Sequence, residues 1–148
     1  MLGHVVFSTK YRRPTLAADW RDNLYAYIGG TIRDHKASLL AAGGIEDHVH
    51  LLICFHPCHA ISSTIQLLKA NSSRWINRNA LTDGPFSWQI GYGVFSVSQS
   101  KVKDVRKYIA SQVAHHRQVS FEEEFLELLR KHKVSYDPNY VFEKRAAK

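Results

Sequence analysis

The sequence predicts one α+β domain spanning residues 1–148, with helices packed on one face of an antiparallel sheet. Three observations carry this expectation. The length, 148 residues, leaves room for one sizeable core and no second. The composition, 45% apolar and 22% charged, is that of a folded globular chain. Short β-branched runs and helical apolar spacings follow one another in the order β-α-β-(β)-α-β-α.

The first strand is predicted over residues 4–9, short and rich in β-branched side chains. A basic turn follows in Lys10-Tyr11-Arg12-Arg13-Pro14. Trp20, Leu24, Tyr27, Ile28 and Ile32 then repeat at helical spacing, which predicts a helix over 19–40 with Gly29-Gly30 weakening its middle. Gly43-Gly44 breaks the pattern, and 45–56 reads as a strand. A second helix over 61–78 carries Ile61, Ile65, Leu68 and Trp75 on one stripe. Asp83-Gly84-Pro85 is a turn, and 86–89 and 94–98 are short strand-like pieces. Ser98 or Ser100 can cap a third helix over 101–118, and an acidic-to-basic helix follows over 121–132. The tail from Val134, with Pro138, has no clear period.

Charge and apolar runs narrow the function classes. Residues 51–55 form the longest apolar run, far below the roughly 20 residues that cross a bilayer. The first residues lack a basic stretch followed by an apolar one, so no signal peptide and no membrane partner are expected. Two cysteines, Cys54 and Cys58, do not make a disulfide framework, and a reducing cytoplasm fits best. Twenty Lys and Arg against 13 Asp and Glu leave +7 and a pI near 9.5. That balance suits a polyanion such as nucleic acid, and equally a basic protein with no such partner.

Four constellations could carry chemistry. In Asp47-His48-Val49-His50, His48 and His50 are two apart on a strand and project side by side. Such a pair can share a divalent metal, and it can also be two surface histidines. On the third helix, Tyr108 and Gln112 are four apart and share one flank of the apolar stripe. That flank can present a nucleophile to a ligand, or simply a half-buried tyrosine beside a solvated amide. Tyr11, Tyr25, Tyr27, Tyr92, Tyr136 and Tyr140 lack that setting: only Tyr108 has a rigid helix, basic neighbours Arg106 and Lys107, and a metal-capable amide one turn on. Cys54, His56, Cys58 and His59 suggest zinc, but their spacing is irregular and a strand end running into a Pro57 turn explains them as well. Lys10, Arg12 and Arg13, with Lys69 and Arg74, sit among aromatics in a pattern that suits phosphates and exposed bases, or a solvated basic face.

Taken in order, these stretches resemble the single-tyrosine HUH transposases of the insertion sequence 200/605 group. The matching pieces are His4-Val5-Val6-Phe7-Ser8-Thr9-Lys10-Tyr11-Arg12-Arg13-Pro14, then Gly43-Gly44-Ile45-Glu46-Asp47-His48-Val49-His50-Leu51-Leu52. Trp88 through Ser98, Tyr108-Ile109-Ala110-Ser111-Gln112, His115-His116 and Tyr136-Asp137 follow. Only three residues precede His4, a shorter lead-in to the first strand than the resemblance leads one to expect.

The resemblance implies a ferredoxin-like, RNA-recognition-like antiparallel sheet with helices packed on it. It implies metal ligands at His48, His50 and Gln112 and a nucleophile at Tyr108. It also implies a homodimer with composite active sites acting on single-stranded DNA that carries hairpins at element ends. The expected reaction cuts and rejoins that DNA through a 5′-phosphotyrosine. Imidazole tolerance favours Mn²⁺ as a substitute for a cellular Mg²⁺. A phenol with pKa near 10 costs about 4 kcal/mol to ionise at pH 7, so the site must offset that cost or remove the proton during attack. The alternative is a domesticated relative that binds a DNA or RNA hairpin without cutting it.

Overall fold

Alternation along β1 (Leu2–Ser8) and β3 (His48–Cys54) sends two chemically different sets of side chains to the two faces of one sheet. The computed structural model describes residues 1–116, 119–137 and 141–142. In it, β2 (Ser38–Gly44) and β4 (Gly93–Ser96) flank that pair, and all pairings are antiparallel in the order β2-β3-β1-β4. With α1 (Ala18–Thr31) and α2 (Ile61–Arg78), the chain order is βαββαβ, the ferredoxin-like arrangement. Among the described residues three α-helices follow: α3 (Val102–Ala110), α4 (Gln112–His115) and α5 (Phe121–Lys131).

Val5, Phe7, Val49, Leu51 and Ile53 point to one face and are fully buried against Leu24 and Ile28 of α1 and Ile65 and Leu68 of α2. His4, Val6 and Ser8 of β1 share the other face with Leu52, His50 and His48, their register partners on β3. There Val6 and Phe95 pack against Phe121, Phe125, Leu128 and Leu129 of α5. Helices therefore cover both faces, not the one face expected. Two imidazoles with no exposure on the second face require that cover.

The helix predicted over 19–40 ends at Thr31 and is followed by a short 3-10 turn, Ile32–His35. Lys36 then adopts the left-handed region at φ 56 and turns the chain into β2. The helix-favouring Leu and Ala of β2 are overridden by pairing with β3, through an irregularity between Leu39 and Ala41. Gly43 and Gly44, read as a break, lie inside that strand. A Cβ on Gly43 would sit 2.3 Å from the Ile109 carbonyl oxygen, so this glycine lets α3 lie directly on β2.

The single helix predicted over 101–118 is split at Ser111, whose hydroxyl donates to the Tyr108 carbonyl at 2.9 Å. That local bond competes with the helical ladder just after the tyrosine. Gln118 lies outside the described residues. Ser98 and Ser100 bond to each other at 3.1 Å, and neither caps α3. Residues 86–89 contribute only an isolated bridge, Thr9 to Trp88.

Candidate active site

The period of two along β3 delivers His48 and His50 to the α3–α5 face, their ring centroids 5.1 Å apart. Gly43 seats α3 on the neighbouring strand, which brings Tyr108 over the sheet with its ring 5.6 Å from that of His50. After the break at Ser111, Gln112 opens α4 and is buried. The His48 Nε2–H donates to Gln112 Oε1 at 3.1 Å. One chain thus brings together all four residues singled out in the sequence, His48, His50, Tyr108 and Gln112.

The structure adds residues the sequence reading passed over. Ser120 caps α5, accepting the Glu123 backbone N–H at 3.2 Å, and the first turn of that helix projects Glu124 into the histidines. Glu124 Oε1 accepts from His50 Nε2 at 2.8 Å and from His116 Nε2 at 3.0 Å, and lies 3.5 Å from His48 Nε2. Its other oxygen, Oε2, accepts from Gln112 Nε2 at 3.1 Å and from the Tyr108 hydroxyl. A signal for Glu124 was present: it lies at helical spacing with Phe121, Phe125 and Leu128, a carboxylate on an apolar stripe. His116, present in the sequence only as part of the His115-His116 pair, finds its partner in Glu124 through the fold.

Burial and bonding set the protonation states. Burial alone would lower His48, but its hydrogen bonds to Asp47 and Glu124 outweigh it and raise the ring to about 9. Burial dominates for His50, held at about 4, and for His4, held at about 3. Burial disfavours the Glu124 carboxylate, yet bonds from His116, His48 and His50 hold it well below the usual carboxylate range. Burial, then the bond to Glu124 and its charge, push the Tyr108 phenol upward. Without a cation this site keeps its tyrosine protonated.

The donor set fits a divalent metal. One ligand atom each from His48, His50, His116 and Glu124 lies within 4.8 Å of the others. Gln112 Oε1 borders the same space through His48. Imidazoles suit Mn²⁺, and the carboxylate and amide oxygens suit Mg²⁺. The zinc reading finds no such gathering among the described residues. His56 Nδ1 accepts the Cys58 backbone N–H at 3.1 Å, His59 stacks on His35 with centroids 4.1 Å apart, and both cysteines are free thiols.

Two clefts open at Tyr108. One, of about 590 Å³, is lined by His4, Ser98, Lys101, Lys131 and His132. The other, of about 460 Å³, passes His115, Glu124 and Arg130. Among the described residues, Tyr108 is the one tyrosine in ring contact with the site histidines. Tyr27 stacks on Trp75, burial pushes the Tyr25 phenol up to about 12, and Tyr140 lies outside the described residues.

The basic residues divide between two faces. Arg12 pairs with Glu122 at 2.9 Å, tying the turn after β1 to α5, while Lys10 and Arg13 lie over the Tyr11 ring at 5.5 and 5.4 Å. Lys69 and Arg74 are on α2, across the sheet from the histidines. Lys69 donates to the carbonyls of Gln89 and Gly91 at 2.6 and 3.0 Å, and Arg74 donates to Asn71 Oδ1 at 3.1 Å. No helix among the described residues is long and apolar enough to cross a membrane.

Known proteins resemble this chain in sequence and in fold. The chain is 27% identical to the ISDra2 transposase TnpA of Deinococcus radiodurans over 114 residues, 74% of this chain and 81% of that one. A crystal structure described as that of a transposase from Deinococcus radiodurans R1 superposes with a TM-score of 0.60 at 27% identity, over 76% of this chain and 90% of that one. A REP-associated tyrosine transposase bound to a REP hairpin shares the fold over 99% of this chain and 93% of that one, with a TM-score of 0.61 at 14% identity. The family profile described as "Transposase IS200 like" matches residues 1–112, a span that holds His48, His50, Tyr108 and Gln112. The chain belongs to the IS200-like transposase family.

Proposed function

We propose that this protein cuts and rejoins single-stranded DNA through a covalent bond to Tyr108, with a divalent metal held by His48, His50 and Gln112 together with Glu124 and His116. The observation that carries the reading is Glu124 itself. One of its oxygens lies among the histidines and the other accepts the Tyr108 hydroxyl, so the donor set and the nucleophile share a single carboxylate.

In the cleavage step Tyr108 Oη bonds to phosphorus and the P–O3′ bond breaks. The phenolic proton leaves Oη, oriented by its bond to the ionised Glu124 Oε2, for solvent, and the departing 3′ oxygen takes a proton from solvent to become a free 3′-OH. The product is a 5′-phosphotyrosine, and a later 3′-OH can reverse the exchange without ATP. A divalent ion bound there supplies Lewis-acid polarisation of the phosphate oxygens. Mg²⁺ is the ion we assign in the cell, with Mn²⁺ substituting. His48 and His50 are fixed by the sheet, and Glu124 orients the hydroxyl.

The substrate we assign is single-stranded DNA carrying a hairpin, as in the bound state of the REP-associated relative. Lys101 and Lys131 line the larger cleft at Tyr108, where a phosphate backbone can approach. Lys10, Arg12 and Arg13 flank the His48 end of the sheet, and Lys69 and Arg74 offer charge on the far face for the hairpin stem. The assembly we assign is a homodimer; one chain gathers the four site residues, and complementation between Tyr108→Phe and His50→Ala distinguishes a site within one copy from a composite one.

The test is a denaturing gel with hairpin DNA from the flanks of the gene, in Mg²⁺ or Mn²⁺, for wild type and Tyr108→Phe. A DNA-linked band in wild type alone is the expected result. Tight binding with no adduct on any flanking strand would replace this reading with that of a non-catalytic hairpin binder.

A further inference from the structure

Each strand histidine offers one ring nitrogen to the site and keeps the other bonded outside it. His48 directs Nε2 to Gln112 and Glu124, while its Nδ1 donates to Asp47 Oδ1 at 2.7 Å. His50 directs Nε2 to Glu124 at 2.8 Å, while its Nδ1 lies 2.8 Å from His4 Nε2. Asp47 adjoins His48 in sequence. His4 comes from a different strand, on the same face as His50 and diagonal to it across the β1–β3 pair. It is 4% exposed, with its ring edge-on to Phe95 and Tyr108 at 6.2 and 5.9 Å.

An imidazole that binds a metal through Nε2 carries its proton on Nδ1, and a buried Nδ1–H needs an acceptor. We infer that His4 is a positioning residue for the metal site: its Nε2 accepts the Nδ1–H of His50 and so holds the tautomer and ring angle in which His50 Nε2 faces the cation. This rests on the metal site of the proposed function and extends it to a residue outside the donor set.

The geometry makes a further demand on His4. Without metal, His50 Nε2–H donates to Glu124, so His50 Nδ1 is an acceptor and His4 Nε2 must donate to it. With metal the direction of the same bond reverses. The residue at position 4 must therefore donate or accept at one place, which an imidazole does by changing tautomer. A glutamine can do so by turning its amide; a phenylalanine of similar shape cannot.

The experiment is a Mn²⁺ titration of the DNA-free protein, read by electron paramagnetic resonance, for wild type, His4→Phe and His4→Gln. Near-UV circular dichroism checks that each is folded. Wild type should bind, His4→Phe should bind about 10- to 100-fold more weakly, and His4→Gln should recover most of the loss. Equal affinities in wild type and a folded His4→Phe would overturn the positioning role while leaving the metal site intact. A wild type that binds no Mn²⁺ would overturn the metal site as well, so the two failures differ.

Should His4→Phe not fold, the wild type still decides. Long-range ¹H–¹⁵N spectra of the Zn²⁺-loaded protein should show His50 protonated at Nδ1. A proton on Nε2 instead would contradict the assignment.

Discussion

The two faces of the sheet are built from the same two strands and do opposite work. Toward α1 and α2, β1 and β3 present Val5, Phe7, Val49, Leu51 and Ile53, a dry layer that needs only shape and volume. Toward α3–α5 the alternate positions present His4, Ser8, His48 and His50, all buried. Burying four polar side chains in one layer is stable only if each finds a partner. Three of them are answered by Glu124, Asp47 and each other, and Ser8 donates to the Thr9 carbonyl at 2.9 Å. The dry face fixes the strands; the polar face uses that rigidity to hold the His48, His50, His116 and Glu124 cluster together. A one-residue slip of either strand would exchange the two sets, so the register is itself a functional feature.

The largest effect that separates the faces is catalytic. His50→Ala should abolish metal-dependent adduct formation and leave a folded protein, measured by the gel assay beside circular dichroism. Unchanged activity across a Mn²⁺ titration would remove His50 from the donor set. On the dry face, Phe7→Ala should cost about 3–5 kcal/mol of stability in urea denaturation. Its folded fraction should still bind Mn²⁺ as wild type does; a selective loss of metal affinity would blur the division between faces.

Glu124→Gln removes the charge that answers the histidines. Metal-free protein should lose about 1–3 kcal/mol, and a neutral or stabilising result would show that the carboxylate is held there at a net cost. The pH profile sharpens the same point. His4 and His50 are held at about 3 and about 4 against an ordinary 6.5. Below 6.5 the unfolded chain therefore binds more protons, and stability falls as pH falls toward 4. His48 is raised to about 9, so its contribution is complete below 6.5 and lost as pH rises through 9. The urea midpoint of metal-free protein should peak near 6.5, each histidine contributing at most about 1.4 kcal/mol per pH unit. A midpoint rising steadily from pH 6.5 to 9 would contradict the charged state of His48.

The smallest effects concern the basic residues. Lys10→Ala and Arg13→Ala should each lower the salt slope of hairpin binding by about 1; slopes equal to wild type would place the DNA elsewhere.

Much of this was legible in the residues, for physical reasons that can be named. His48 and His50 declare themselves because residues two apart on a strand share one face. Tyr108 and Gln112 do so because one helical turn separates them. β2 was hidden because Ser38 through Gly44 is written in residues that favour helix or turn, and only pairing with β3 makes it a strand. Glu124 was hidden differently. It lies 74 positions from His50 and beyond the span matched by the family profile, and as the third of three acidic residues in a first turn it reads as dipole compensation. Its position on the apolar stripe was the sole local sign. His4 looked like the start of a strand, and its role depends on a diagonal neighbour that no local pattern specifies.

The most direct test of the proposed site, taken as complete within one chain, is complementation. Tyr108→Phe and His50→Ala, each inactive alone, are co-expressed under separate tags, and doubly tagged complexes are assayed for the DNA adduct beside wild type. A centre complete within one chain predicts an adduct with wild type and none with the mixture. An adduct in the mixed complex would show the tyrosine of one copy working with the histidines of another, and would contradict the arrangement described.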